Sequence, residues 1–287
     1  MNASSPRPEG LVVVYKPRGI TSHDVVDGVR HILGTKKVGH AGTLDPMAEG
    51  VLVLGVGRAT RLLRYLSGLD KEYEGTGLLG VETDTLDADG TVTHTAEIDV
   101  SRDRLEAAMT ALTGDIEQIP PAYSAVKVGG ERLYRAARRG EAVEAEPRKV
   151  HVDAFELTRF DPPPFEFVVR CSTGTYVRSL VADAGTAVGA GAHLTRLVRT
   201  RVGPFGLDRA VMLNRLRQPR PIEEAVAHLP SYRLEHADEA KAASNGVCLA
   251  PAGIEGPYTL FGPDDALIGI WRDTGAKSCP EMVLAPA

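Results

Sequence analysis

Apolar and polar positions alternate and recur along this chain with periods that predict most of its elements. Residues 11–15 form a short apolar, β-branched run and predict a strand. Lys16-Pro17-Arg18-Gly19 ends it with turn chemistry, and Thr21 or Ser22 then caps a helix to about Leu33. Val25, Val26, Val29, Ile32 and Leu33 share one face of that helix. Residues 50–56 predict a second strand. Residues 59–69 predict a helix with Leu62, Leu63 and Leu66 inward and Arg58, Arg61 and Arg64 opposite. Residues 71–81 and 90–98 predict two strands joined by a turn at Asp89-Gly90. Ser101 caps a helix to Leu112, with Leu105, Ala108, Met109 and Leu112 on one face.

The second half continues the alternation. Prolines 120 and 121 forbid helix and make residues 119–124 an extended loop. A short basic helix is predicted over 132–139. Residues 150–160 and 165–171 alternate like paired strands across Asp161-Pro162-Pro163-Pro164. Residues 176–188 predict a helix, 194–202 a basic strand, and 222–228 a short helix after Gln218-Pro219-Arg220-Pro221. Beyond Ser231 short strands between turns predict a small β-barrel-like appendix.

Composition adds limits. A length of 287 residues with 43% apolar content suits one large domain, or a medium and a small one, with a real core. No apolar run approaches the roughly 18 residues of a membrane span. The polar start of the chain lacks the basic-then-apolar order of a signal peptide, so a soluble, cytoplasmic protein is expected. Cys171, Cys248 and Cys279 are odd in number, far apart and without a C-x-x-C pair; buried free thiols are expected, rather than a disulfide framework or zinc site. The net charge of −5 does not advertise a nucleic-acid binder. Its distribution is uneven, however. Residues 82–117 carry ten acidic and two basic side chains, whereas 196–220 carry seven Arg against Asp208 alone. A phosphate backbone responds to the local basic face.

Common catalytic signatures are absent: no P-loop, no H-E-x-x-H, no G-x-S-x-G and no complete dinucleotide fingerprint. The Asp-rich stretch 84–90 is not an EF-hand. With Asp87 and Asp89 at loop positions 3 and 5, position 12 is Ala96 and lacks the bidentate Glu. No His, Asp or Glu cluster has metal-ligand spacing, so no metal and no cofactor is expected. Chemistry from a single carboxylate becomes a serious option. Gly39-His40-Ala41-Gly42-Thr43-Leu44-Asp45-Pro46 presents one: the glycines permit close approach of a ligand, and Pro46 holds Asp45 extended. Asp45 could there be a nucleophile, a base, or a side chain that ties a turn.

Several motifs stand in one order. They are Lys16-Pro17-Arg18-Gly19-Ile20-Thr21-Ser22, the octapeptide with its continuation Met47-Ala48-Glu49-Gly50-Val51-Leu52, Lys71-Glu72-Tyr73, Thr83-Asp84-Thr85, Pro120-Pro121-Ala122-Tyr123-Ser124-Ala125-Val126-Lys127, Gly174-Thr175-Tyr176-Val177-Arg178-Ser179-Leu180 and Gly191-Ala192-His193-Leu194. Together they resemble the TruB family of bacterial tRNA pseudouridine synthases, over about residues 11–201. The resemblance implies an α+β (mixed α/β) pseudouridine synthase fold: a largely antiparallel central sheet, peripheral helices and a small C-terminal PUA-like β-barrel. The expected division is a disordered tail 1–10, a catalytic domain 11–231 and the PUA-like domain 232–287.

The implied activity is isomerisation of uridine 55 in the TΨC loop of tRNA. The family uses an Asp nucleophile and a flipped-out base. The nucleophile is assigned to Asp45, its ion partner to Arg178, and the aromatic packed on the base to Tyr73. Whether Asp45 attacks C6 of the base or C1′ of the sugar stays open. Tyr176 and Leu197 would line the uracil pocket. His40 would enter the RNA loop. Lys16 would pack near the site or contact phosphate, and Arg196, Arg199 and the 132–139 segment would contact phosphates. The T-arm of tRNA is the implied partner, and a monomer without an obligatory protein partner is expected. Two rivals remain: a guide-RNA-dependent synthase subunit, and a tRNA-folding protein with secondary catalysis. Residues 233–287 hold four basic and eight acidic side chains, so charge does not support strong phosphate binding there.

Overall fold

The computed structural model describes residues 8–124, 126–133, 139 and 145–284. A nine-stranded sheet forms its centre. The main path uses β1 (Gly10–Lys16), β3 (Glu49–Val56), β12 (Ala192–Val202), β4 (Lys71–Leu79), β11 (Pro164–Cys171), β10 (Arg148–Phe160) and β7 (Gly114–Gln118), in that spatial order. β2 (Val38–His40) adds to β3, and β13 (Phe205–Gly206) to β12. Every pairing is antiparallel except β3 with β12, which is parallel and spans two residue pairs, Val198 with Glu49 and Arg199 with Gly50. This agrees with the expected mixed, largely antiparallel architecture.

Burial on both faces explains the continuous apolar runs at the sheet's centre. Val12 and Val14 of β1 pack under helix α1 (Ser22–Leu33) with Val25, Val26 and Val29. Leu11 and Val13 point the other way, toward Leu62 and Leu66. Helices α3 (Arg102–Ala111) and α4 (Val177–Ala187) cover the β4–β11–β10 half through Leu105, Met109, Leu180, Val181 and Ala184. Of the two candidate caps for α1, Thr21 caps. Its hydroxyl accepts from Asp24 N at 3.1 Å, and Asp24 Oδ2 accepts from Thr21 N at 2.7 Å. On β4, Gly75 and Gly77 face the rings of Phe167 and Phe165, where an added Cβ would stand 2.3 Å from each ring.

Several elements differ from expectation. The 59–69 segment enters as a 3₁₀ turn, Gly57–Leu62, before the short helix α2 (Leu63–Ser67). A Cβ on Gly55 would lie 2.6 Å from Ala59 O, so the turn folds tightly back on β3. The 71–81 strand breaks at Gly80. Its continuation β5 (Val81–Thr83) pairs with β6 (Val92–Thr95) across an eight-residue loop rather than a two-residue turn. A hairpin of β8 (Lys127–Val128) and β9 (Glu131–Arg132) precedes most of the predicted basic helix, which lies outside the described residues. Residues 1–7 of the expected tail also lie outside them. Strand β1 begins at Gly10, and Glu9 pairs with Arg58.

The C-terminal region is a four-stranded sheet of β14 (Ser231–Arg233), β15 (Pro257–Phe261), β16 (Leu267–Thr274) and β17 (Lys277–Val283), in that order. Helix α5 (Ala237–Ser244), which the strand-and-turn reading did not anticipate, packs on it. Among the described residues the sheet does not close. The free-thiol expectation holds for buried Cys171 and fails for the other two: Cys248 and Cys279 form a disulfide. A backbone bridge between Leu249 and Ser278 brings these cysteines, 31 residues apart, to a Cα separation of 4.3 Å.

Candidate active site

The octapeptide leaves β2 and crosses the end of the sheet as a loop anchored at nearly every residue. Ala41 N donates to Val53 O at 2.9 Å. The Ser22 hydroxyl, in the first turn of α1, accepts from Leu44 N at 2.8 Å and donates to Leu44 O at 3.1 Å. Pro46 O accepts from Gly19 N at 2.8 Å and from the Lys16 ammonium at 3.3 Å. Leu44, Met47 and Ala48 are buried beside Tyr73 and Leu197. The Asp45 side chain keeps 39% exposure on this otherwise fixed loop.

Arg178 meets it from the first turn of α4. Its Nε lies 3.0 Å from Asp45 Oδ2, and its side chain is 5% exposed. The guanidinium also donates to Thr85 O at 2.8 Å and Tyr123 O at 3.0 Å, and stands 3.4 Å from Asp87 Oδ2. A planar fork fixed by four partners cannot rotate away from the carboxylate. Gln118 sets the entry of α4: its amide accepts from Tyr176 N at 2.7 Å and donates to Tyr176 O at 3.0 Å. Asp87 is buried in the loop after β5, bonded by the Thr85 hydroxyl and Asp89 N. Burial pushes its carboxyl above the ordinary aspartate range, and Thr85 and Arg178 pull it back.

Tyr73 is 7% exposed on β4, directly opposite Arg199 in the β12–β4 register. Burial raises its hydroxyl above the usual tyrosine range, against the pull of Arg199. Leu197, 6% exposed, belongs to the same cluster, and Tyr176 is half-buried two residues before Arg178. His40 is half-buried on β2, with Nδ1 unpartnered. Burial and then Arg199 hold its ring below the ordinary histidine range.

Two residues considered for phosphate contact are turned inward. Lys16 is fully buried, and its ammonium donates to the carbonyls of Pro17, Ile20 and Pro46, an arrangement that suits packing. Arg199 is 1% exposed and turned onto main-chain carbonyls under the loop. Arg196 is exposed on β12. Ser22, Asp87 and Gln118 were missed by sequence reasoning. In the sequence Ser22 is a candidate cap and the end of a motif, and Asp87 belongs to an Asp-rich turn that fails as a calcium loop.

The TruB family pseudouridylate synthase N-terminal domain matches residues 30–177, and the tRNA pseudouridylate synthase B C-terminal domain matches 178–227. This chain belongs to the TruB family. A TruB relative from Mycolicibacterium paratuberculosis, named tRNA pseudouridine synthase B, is 48% identical over 98% of this chain and 99% of its own length. One of the same name from Thermobifida fusca is 47% identical over 96% of this chain and 99% of its own length. Among solved structures, a Cbf5–Nop10–Gar1 complex matches this TruB chain with a TM-score of 0.76 and 28% identity, over 96% of this chain and 85% of the other. An H/ACA RNP bound to a substrate RNA containing 2′-deoxyuridine matches with a TM-score of 0.74 and 26% identity, over the same shares.

Proposed function

We propose that this chain converts uridine 55 in the TΨC loop of tRNA to pseudouridine, with Asp45 as nucleophile. The half-exposed Asp45 carboxylate, held 3.0 Å from the buried Arg178 guanidinium beside buried Tyr73, is the observation that carries this reading. In the reaction the N1–C1′ bond breaks, the base turns, C5 joins C1′, the C5 hydrogen leaves and N1 takes a proton. Asp45 supplies the electron pair that opens the sequence, at C6 or at C1′, and the bond it makes there breaks again before product leaves, which returns the free carboxylate. Arg178 supplies a fixed countercharge. Tyr73 and Leu197 form an apolar floor for a base taken out of its stack, which costs least in a loop.

Exposed Arg196, Arg201, Arg209, Arg215 and Arg217 would face the RNA backbone, and exposed acids outside the site, among them Glu97, Asp99 and Asp103, would face away. Full-length similarity to relatives named tRNA pseudouridine synthase B supports a single chain acting without guide RNA or protein partner. Residues 232–287 would be a PUA-like module that contacts the RNA weakly, given their acidic balance.

The test is release of the C5 hydrogen from labelled uridine in bare tRNA by the purified chain. Wild type should release it, and Asp45→Asn should lose about 10⁴-fold in rate while still binding tRNA. Equal release by both proteins would sink the assignment of Asp45.

A further inference from the structure

Arg199 is the most completely buried arginine described, at 1% exposure, and has no obvious reason to be charged. Among the described residues it forms no ion pair. Its neighbours on the same side of β12, Leu197 and Val202, are apolar. An unpaired buried guanidinium is costly and persists only where its donors are used. Here the fork has three carbonyl acceptors: Nε donates to Val51 O at 2.7 Å, and the two terminal nitrogens to Thr43 O at 3.4 Å and Gly42 O at 3.3 Å.

Those acceptors lie on two separate pieces of chain. Val51 follows the point where the short parallel pairing of β3 with β12 stops, at Arg199 and Gly50. The strands approach so closely there that a Cβ on Gly50 would lie 2.2 Å from Arg199 O. Beyond that point the Arg199 side chain replaces the missing ladder. Gly42 and Thr43 belong to the octapeptide, two and three residues before Asp45. A Cβ on Gly42 would meet the Lys71 stem at 3.7 Å and the Arg199 guanidinium at 3.9 Å, so these two side chains fill the space beneath the loop. Tyr73 is the cross-strand partner of Arg199, whose charge pulls down a tyrosine hydroxyl that burial raises.

We infer that Arg199 is a positioning residue. Its fork ties the Asp45 loop to β3 from a strand position directly opposite Tyr73, and so sets where the carboxylate stands relative to the ring on which the base would rest. The inference rests on the reading of Asp45 and Tyr73 given above. It needs the fork and not merely the charge: an ammonium cannot span Val51, Thr43 and Gly42 in one plane.

Arg199→Lys and Arg199→Met test it by three measurements: single-turnover C5 release at saturating tRNA, the Kd for tRNA, and hydrogen exchange of amides 40–48 in the free protein. Exchange in α3 serves as the control. Both variants should unfold cooperatively, bind tRNA within about threefold of wild type and lose about 10–100-fold in single-turnover rate. Faster exchange should be confined to the loop. A fully active Arg199→Lys would overturn the inference, and so would a raised Kd with an unchanged rate, which marks a phosphate contact. Loss of cooperative unfolding in both variants would make Arg199 a support of the whole sheet and also overturn it. The exchange measurement needs no turnover. Wild type without C5 release would defeat the functional reading, while loop exchange would still decide the clamp.

Discussion

Arginine holds main chain in two regions of this protein, under opposite conditions. In the cleft, Arg178 and Arg199 are 4% and 1% exposed, and their bonds to carbonyls of residues 42, 43, 51, 85 and 123 are shielded from water. At the seam with the C-terminal sheet, Arg58 and Arg61 donate to the carbonyls of Leu284 and Val283, and Arg64 reaches Glu281 at 3.1 Å. The Arg58 and Arg64 side chains are 37% and 54% exposed. The acceptors are alike; the dielectric is not. A buried fork has no water to replace it when it is lost, whereas an exposed one does. The seam therefore relies on other forces: Leu62 and Leu66 pack with Ile270, Met282 and Leu284, and within the appended region a disulfide pins the segment at Cys248 to β17.

The largest effect on stability should come from that disulfide. Cys279→Ser opens a link across 31 residues and should cost about 3–4 kcal/mol of the C-terminal region's stability under oxidising conditions. C5 release should stay near wild type. Identical unfolding curves with and without reductant would show that the link contributes nothing.

Next comes Asp87→Asn. It keeps the shape but removes one of the two carboxylates on Arg178, and the remaining charge should draw the fork onto Asp45. We expect about a 10–100-fold fall in single-turnover rate, roughly 1.4–2.7 kcal/mol, with tRNA affinity unchanged. An affinity loss instead would place Asp87 in RNA contact.

A pH effect is smaller and also belongs to the cleft. Burial pushes the Lys16 and Lys71 ammoniums down to about 8 from 10.5. Between these values the unfolded chain binds more protons, so stability should rise with pH above about 8 and be lost as pH falls through it. Cys171, pushed up to about 11 from 9.0, offsets one of the two lysines above pH 9, which leaves pH 8 to 9 as the window of steepest rise. Denaturation midpoints should rise across that window, and Lys71→Met should reduce the rise to about half. A flat wild-type profile would contradict the buried-ammonium account.

The smallest effect should be at the seam. Arg61→Ala loses one exposed bond to Val283 O and should cost under about 1 kcal/mol, with no change in turnover. A loss as large as that of Arg199→Met would erase the contrast between the two regions.

Much of the fold and of the candidate site is legible in the sequence, for definable reasons. Period and capping placed α1, α3 and the β10–β11 pair because each buries one regular face. Asp45, Tyr73 and Arg178 came from ordered motifs and not from periodicity. What escaped was set by tertiary contact. Asp87 and Gln118 act through partners 91 and 58 residues away in sequence, a relation that no local pattern carries. The disulfide arises from one backbone bridge, and Arg199 stands in a basic run that reads as phosphate-contacting, with nothing local to mark it as buried. Helix α5, Ala-Asp-Glu-Ala-Lys-Ala-Ala-Ser, did carry a signal: its alanines favour helix, but eight residues are too short to show a face.

The glycines opposite two phenyl rings on β4 have a consequence for how the strand finds its place. A slide of two residues in one direction would bring Tyr73 to the site of Gly75, against the ring of Phe167. A slide in the other would bring Leu79 to the site of Gly77, against Phe165. Slips of one residue would invert the faces of the strand. The rings thus work as detents in a ratchet, admitting one setting of β4 against β11. A mispaired chain is rejected by collision during folding, before any test of catalysis.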